Sequence, residues 1–195
     1  MSDLRPLEPG VMFWAGRDPR ETVNEVAGLG VRCGQLLIPG HVPADLRAAA
    51  EWKGALDARE FRLVTLFAAY NGEDYTDAAS IQATVGWIPK STRAERLRRT
   101  FELSDFGCVL GAPSIGLHVG FVPEDRTDPD YAAVREVTRL VCDYVKVQKR
   151  ADICFSKPPG AAWRVTQEFF RDADHENCDH LDPANMTMYG TGDPT

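Results

Sequence analysis

The chain has 195 residues, 44% hydrophobic and 26% charged, a balance ordinary for one soluble globular domain with room for a buried core. Its net charge of −7, from 22 basic and 29 acidic side chains, argues against a duplex-binding surface, which needs an excess of Lys and Arg to meet phosphates. The first ten residues carry no apolar signal region, no stretch approaches the roughly 18 apolar residues of a membrane span, and the five cysteines (Cys33, Cys108, Cys142, Cys154, Cys178) lack close metal-type spacing, which suits buried free thiols in a reducing cytoplasm.

In chain order, the first apolar run, Val11 to Ala15, predicts a strand. Asp18 and Pro19 then supply an N-cap and an N1 proline, and Glu21 completes a capping-box pattern. Val23, Val26 and Ala27 form an apolar stripe, and Gly28 and Gly30 mark the exit. Cys33 to Ile38 is the second strand. Leu46, Ala49, Ala50 and Leu56 give the next helix, and Phe61 to Phe67 the third strand. The segment Tyr70 to Ser91 is longer than an ordinary βα loop, a length typical of lids and binding elements. Thr92 and Glu95 open a helix with Leu97, Phe101 and Cys108 on its inner face. Arg93, Arg96, Arg98 and Arg99, interleaved with Glu95 and Glu102, read as its solvated face. Ser114 to Val119 is the fourth strand. Asp128 and Pro129 repeat the entry signal before Tyr131, Val134, Val137, Val141 and Tyr144, which recur at helical spacing. Asp152 to Phe155 is the fifth strand, Ala162, Trp163, Val165 and Phe169 suggest the fifth helix, and Cys178 to Leu181 is the sixth strand. Short apolar runs of this kind suit parallel strands buried on both faces, and strict βα alternation predicts a parallel sheet with right-handed crossovers. No linker or low-complexity tract interrupts the chain, so residues 1–195 read as one domain.

Three segments carry a family likeness. Gly116-Leu117-His118-Val119-Gly120-Phe121-Val122-Pro123-Glu124-Asp125 resembles the fourth strand and loop of the sugar phosphate isomerase/epimerase family, within the xylose isomerase-like barrels. Leu181-Asp182-Pro183-Ala184-Asn185-Met186 with Tyr189-Gly190-Thr191-Gly192-Asp193-Pro194 resembles its sixth-strand motif. Gly72-Glu73-Asp74-Tyr75 and Val85-Gly86-Trp87-Ile88-Pro89 resemble its long third loop.

The resemblance implies an α/β fold, a TIM (β/α) barrel with helices on the outer face. A full barrel takes about 250 residues, and Asp193-Pro194 repeats the helix-entry signal where the sequence stops. The expectation is therefore an incomplete barrel of about six parallel strands, without the last two βα units. The family's chemistry lies at the carboxyl ends of the strands. There a divalent cation (Mn, Mg, Co or Zn), held by Glu, Asp, His and Glu from the fifth to eighth strands, polarises a sugar carbonyl while two carboxylates move a proton between adjacent carbons. The implied partner is a small-molecule sugar or sugar phosphate, with no nucleic acid and no membrane. Asp182 falls at the ligating Asp, although Asp before Pro also reads as a cap. His118 falls where the family places a substrate-contacting imidazole, although a lone His is often a satisfied core residue.

The departures from the pattern shape the functional expectation. The fifth strand should end in Glu, whereas Phe155-Ser156-Lys157-Pro158-Pro159-Gly160 puts Lys157 there. An ammonium has no lone pair for a cation and repels it. His175, Asp179 and His180 lie near Asp182; strand alternation puts His180 on the face of Asp182 and Asp179 on the other, a weak substitute pair. The expected behaviour is weak or absent turnover by this chain alone. The rival readings are a non-catalytic relic or fragment that associates with another chain, and a DNA-repair endonuclease of the same superfamily, which the acidic balance disfavours. Open barrel edges at the first and sixth strands would promote a homo-oligomer.

Overall fold

The computed structural model describes residues 8–148, 152–156, 168, 169, 171, 173 and 178–180. Six strands form one sheet in chain order: β1 (Val11–Trp14), β2 (Cys33–Ile38), β3 (Arg62–Ala68), β4 (Ser114–His118), β5 (Asp152–Ser156) and β6 (Cys178–His180). Every neighbouring pair is parallel. Each strand was legible as an apolar run, and the bounds differ from expectation by a residue at most at either end. Between them lie α1 (Pro19–Ala27), α2 (Leu46–Ala58), α3 (Ala78–Thr84), α4 (Lys90–Leu110) and α5 (Pro129–Asp143), the last running into a π-helical turn, Tyr144–Gln148.

Aspartates open four of these helices. Asp18 accepts from the amides of Arg20 and Glu21 at 2.7 and 3.2 Å, and Asp128 from that of Asp130 at 2.8 Å, at the two predicted Asp-Pro entries. Asp45 and Asp77 do the same for Ala48 and Ser80 at 2.8 and 2.7 Å. Each satisfies an amide that has no partner within its own helix. α4 differs: it starts at Lys90, ahead of the Thr92 signal, from Pro89, which has no side chain able to accept.

The two faces of the sheet have different fates. Phe13, Leu36, Leu66 and Ile115 stand in register across β1 to β4 and pack under the helices at 6% exposure or less. On α4, a Cβ at Gly107 would lie 2.6 Å from the Ile115 side chain, so glycine lets this helix close on that face. The opposite, inner face carries Trp14, Leu37, Phe67 and Gly116 in register. Leu37 and Phe67 are buried, but Met12 and Trp14 of β1 are 50% and 62% exposed. Among the described residues β1 pairs with β2 alone and β6 with β5 alone.

Several assignments within the helices change. The arginines of α4 are not a solvated face: Arg96 is 3% exposed, Arg93 and Arg99 are largely covered, and only the Arg98 side chain stands out in water. The buried stripe is Arg96, Thr100, Leu103, Ser104, Phe106, Gly107 and Leu110. Its polar members satisfy themselves along the helix, Thr100 donating to the Arg96 carbonyl and Ser104 to that of Thr100. Half-polar burial of this kind blurs the 3.6-residue apolar period on which the reading rested. Leu97 and Phe101 are partly buried against the core, whereas Cys108 is exposed. On α2, Leu46 is exposed and the buried side is Ala49, Trp52, Ala55 and Leu56. Phe169 is fully buried with its ring 5.4 Å from that of Tyr131, and the rest of the expected fifth helix lies outside the described residues. Among the described residues no helix is long and apolar enough to cross a membrane.

Candidate active site at the carboxyl ends of the strands

The carboxyl ends of β3 and β4 are joined by the long segment that the sequence marked as a lid or binding element. The segment is tied down at many points. The Glu73 carboxylate accepts from the amides of Tyr70 and Gly86, each at 3.0 Å, and so clips the two ends of the loop together. Arg96 reaches up from α4 and donates to the carbonyls of Thr84, Gly86 and Asn71 at 2.6, 2.5 and 3.2 Å. The Trp87 amide donates to the Val119 carbonyl at 2.7 Å, just past β4. Gly86 sits at φ 72°, and a Cβ there would lie 2.0 Å from the Val119 carbonyl oxygen; only glycine lets the two backbones meet. Ile81, Val85 and Trp87 are fully buried. The loop is a fixed brace that includes α3, an element absent from the sequence reading.

This brace sets the aromatic surroundings of His118. Tyr75 comes over from the loop with its ring 5.8 Å from the imidazole, and Phe67 of β3 meets the same ring edge-on at 5.3 Å. His118, the predicted substrate contact, thus lies half-buried at the carboxyl end of β4, between an inner-face Phe and a loop Tyr that remains 41% exposed. The Glu73 charge acts on the Tyr75 phenol and raises its pKa, after burial. Behind it the Tyr70 hydroxyl is 2.7 Å from Thr100 Oγ1.

Burial dominates the electrostatics. It pushes the Glu73 carboxyl above its ordinary range, against the pull of the two amide donors, Arg96 and the Tyr75 hydroxyl. Burial, reinforced by the Glu73 charge, also pushes the Tyr70 and Tyr75 phenols upward. Both phenols therefore stay protonated at neutral pH and serve as hydrogen-bond donors.

Among the described residues no three His, Cys, Asp or Glu side chains converge as a cation site would require. Glu73 is committed to the loop amides. The described residues by themselves do not fit a divalent cation. Lys157, Asp182 and His175 lie outside the described residues. The register across β4, β5 and β6 is described: His118 pairs with Ser156, and Ser156 with His180, in one row, while Asp179 pairs with Phe155 in the adjacent row. Sequence reasoning quoted Glu73 and Tyr75 only as part of a family-like loop and missed their roles. A Glu five residues after the end of a strand, followed by an Arg in a later helix, is too common a pattern to reveal a clip.

No family model matches the chain, and no curated protein matches it. Solved structures do. A xylose isomerase domain protein from Planctomyces limnophilus is 29% identical, with a TM-score of 0.86 over 97% of this chain and 67% of that one. A D-psicose 3-epimerase from Clostridium cellulolyticum, solved with D-tagatose, is 16% identical, with a TM-score of 0.64 over 93% of this chain and 65% of its own. A xylose isomerase-like TIM barrel protein from Mycobacterium smegmatis, in complex with magnesium, is 12% identical, with a TM-score of 0.63 over 90% of this chain and 59% of its own. The chain thus spans about two thirds of these barrels' length. With six parallel strands in chain order and helices on one face, the chain has the fold of the xylose isomerase-like TIM barrels, as an incomplete α/β barrel.

Proposed function

We propose that this chain is a sugar isomerase/epimerase-type barrel that binds a ketose or ketose phosphate at the carboxyl-end mouth and, by itself, turns it over weakly or not at all. The observation that carries the reading is the braced loop that sets Tyr75 beside His118 at the end of β4, the end of a barrel where active sites lie. A neutral imidazole can donate to or accept from a sugar hydroxyl. The Phe67 and Tyr75 rings offer an apolar wall to the C–H faces of a sugar. The divalent cation implied by the sequence likeness would supply carbonyl polarisation when bound. Asp182 is the one candidate ligand from the expected set, and Lys157 sets a positive charge at a position that calls for a carboxylate. Weak metal retention and weak turnover follow from that pairing.

The second reading, a non-catalytic barrel that associates with another chain, draws on the exposed Met12 and Trp14 of β1. Both readings predict a binding-competent mouth or edge, and both predict an acidic protein with no affinity for abasic DNA. The test of the first is ketose binding followed by ligand-observed NMR with D-psicose, D-tagatose and a ketose phosphate. Saturable binding that weakens about tenfold in His118→Ala, the size of one lost hydrogen bond in a closed site, is the expected result. Absence of saturable binding by every ketose tried overturns it.

A further inference from the structure

The five-residue strand β4 carries a glycine at its centre, two residues before His118. Glycine weakens a strand, because it loses the most conformational freedom on folding and packs nothing against its neighbours. Inside a strand it often marks the close approach of another group. Gly116 is buried on the inner face, on the same side as His118 by strand alternation, and stands in register with Phe67 of β3.

The close approach at Gly116 comes from β3. A Cβ there would lie 2.6 and 3.1 Å from Phe67 Cδ2 and Cε2, and 3.1 Å from Thr65 Cγ2. Thr65 is held in place. Ser114 Oγ donates its proton to the Val64 carbonyl at 2.9 Å, which leaves the Thr65 hydroxyl as donor of the 2.8 Å bond between the two side chains. Phe67 is 8% exposed, so its ring has little open space to retreat into. The same ring meets the His118 imidazole edge-on, with centroids 5.3 Å apart and planes at 69°. Phe67 thus reaches two successive inner-face positions of β4, the bare Gly116 and His118. Edge-to-face contacts of this kind depend on where the rings sit, and the place of this ring depends on the missing Cβ.

We propose that Gly116 is a positioning residue of the mouth. Its missing side chain seats the Phe67 ring beneath His118, and the ring holds the imidazole in the orientation that meets a sugar hydroxyl. The last step rests on the ketose-binding reading; the seating of the ring does not. A glycine kept for compact packing alone would cost stability when substituted and leave both His118 and ligand affinity as they are.

The test is a double-mutant cycle in the full chain with Gly116→Ala and Phe67→Ala. It is read by the His118 imidazole proton resonances, assigned by their loss in His118→Ala, and by titration with D-psicose and D-tagatose. Gly116→Ala alone should move the His118 resonances and weaken ketose binding about tenfold, as His118→Ala does. In the Phe67→Ala background the added methyl has no ring to displace, so Gly116→Ala should leave the His118 resonances in place and change affinity by less than about twofold. If Gly116→Ala does not fold, Phe67→Leu, which keeps bulk and drops the ring, must move the same resonances. The proposal is overturned if a folded Gly116→Ala keeps parent-like His118 resonances, or moves them equally in both backgrounds. It is also overturned if Gly116→Ala keeps the parent's ketose affinity where His118→Ala weakens it, or if Phe67→Leu leaves the imidazole signals unmoved. A parent chain that binds no ketose overturns the sugar-binding reading and the orienting step with it, and the His118 resonances then decide the seating of Phe67.

Discussion

Glu73 shows how one carboxylate can organise a loop and leave a signature in solution. Its folded-state pKa is raised, chiefly by burial. The stability linked to this group is therefore fully present below the carboxylate's unfolded pKa. It is lost as pH rises through the folded value, where the native state must ionise a buried acid. Urea denaturation across the weakly acidic range should show this component as a falling stability, and Glu73→Gln should remove it. An unchanged pH slope in the variant would place the effect elsewhere. Arg96 is the harder lesson at this scale. Its identity beside Arg93, Arg98 and Arg99 suggested a wet helix face, yet three carbonyls wait for it inside the fold. Arg96→Met should cost at least about 3 kcal/mol in the same melts, because it leaves those acceptors buried and unmet. Nothing local in the sequence distinguishes Arg96 from Arg98. The difference arises only when the loop from β3 folds back over one side of α4.

At the scale of elements, the strands and the Asp-Pro helix entries were legible because their causes are local: apolar runs, a capping carboxylate, a proline that fixes φ. α3 was not legible, since Ala78–Thr84 has no apolar stripe of its own and forms inside a loop held from outside. The brace that contains it depends on the contact of Gly86 with the end of β4. Gly86→Ala should destabilise the chain by at least about 2 kcal/mol, from the left-handed backbone together with the close approach to Val119. It should also shift the His118 imidazole resonances, because Tyr75 is carried on the same loop. A variant with parent-like stability and His118 signals would show that the loop has another anchor.

For the whole molecule, the inner face of the sheet is covered unevenly. Leu37 and Phe67 are buried there, whereas Met12 and Trp14 are half or more exposed on a strand that, among the described residues, is paired on one side. Burying each of these large side chains is worth about 1.5–3 kcal/mol, a substantial drive to associate. Light scattering during size exclusion at low micromolar concentration should report a species larger than 21.6 kDa, and Met12→Lys with Trp14→Glu should return it toward the monomer. A sharply melting parent monomer would contradict this. The proposed function is a barrel that keeps a sugar-binding mouth while this chain alone does little chemistry. It is tested most directly by ketose isomerisation and epimerisation assays with added manganese, magnesium or cobalt. Turnover should lie far below the ordinary enzymatic range of about 1 to 1,000 per second, with no rescue by Lys157→Glu, because that change supplies one carboxylate of a four-donor set. Turnover within that range by the unaltered 195-residue chain would contradict it.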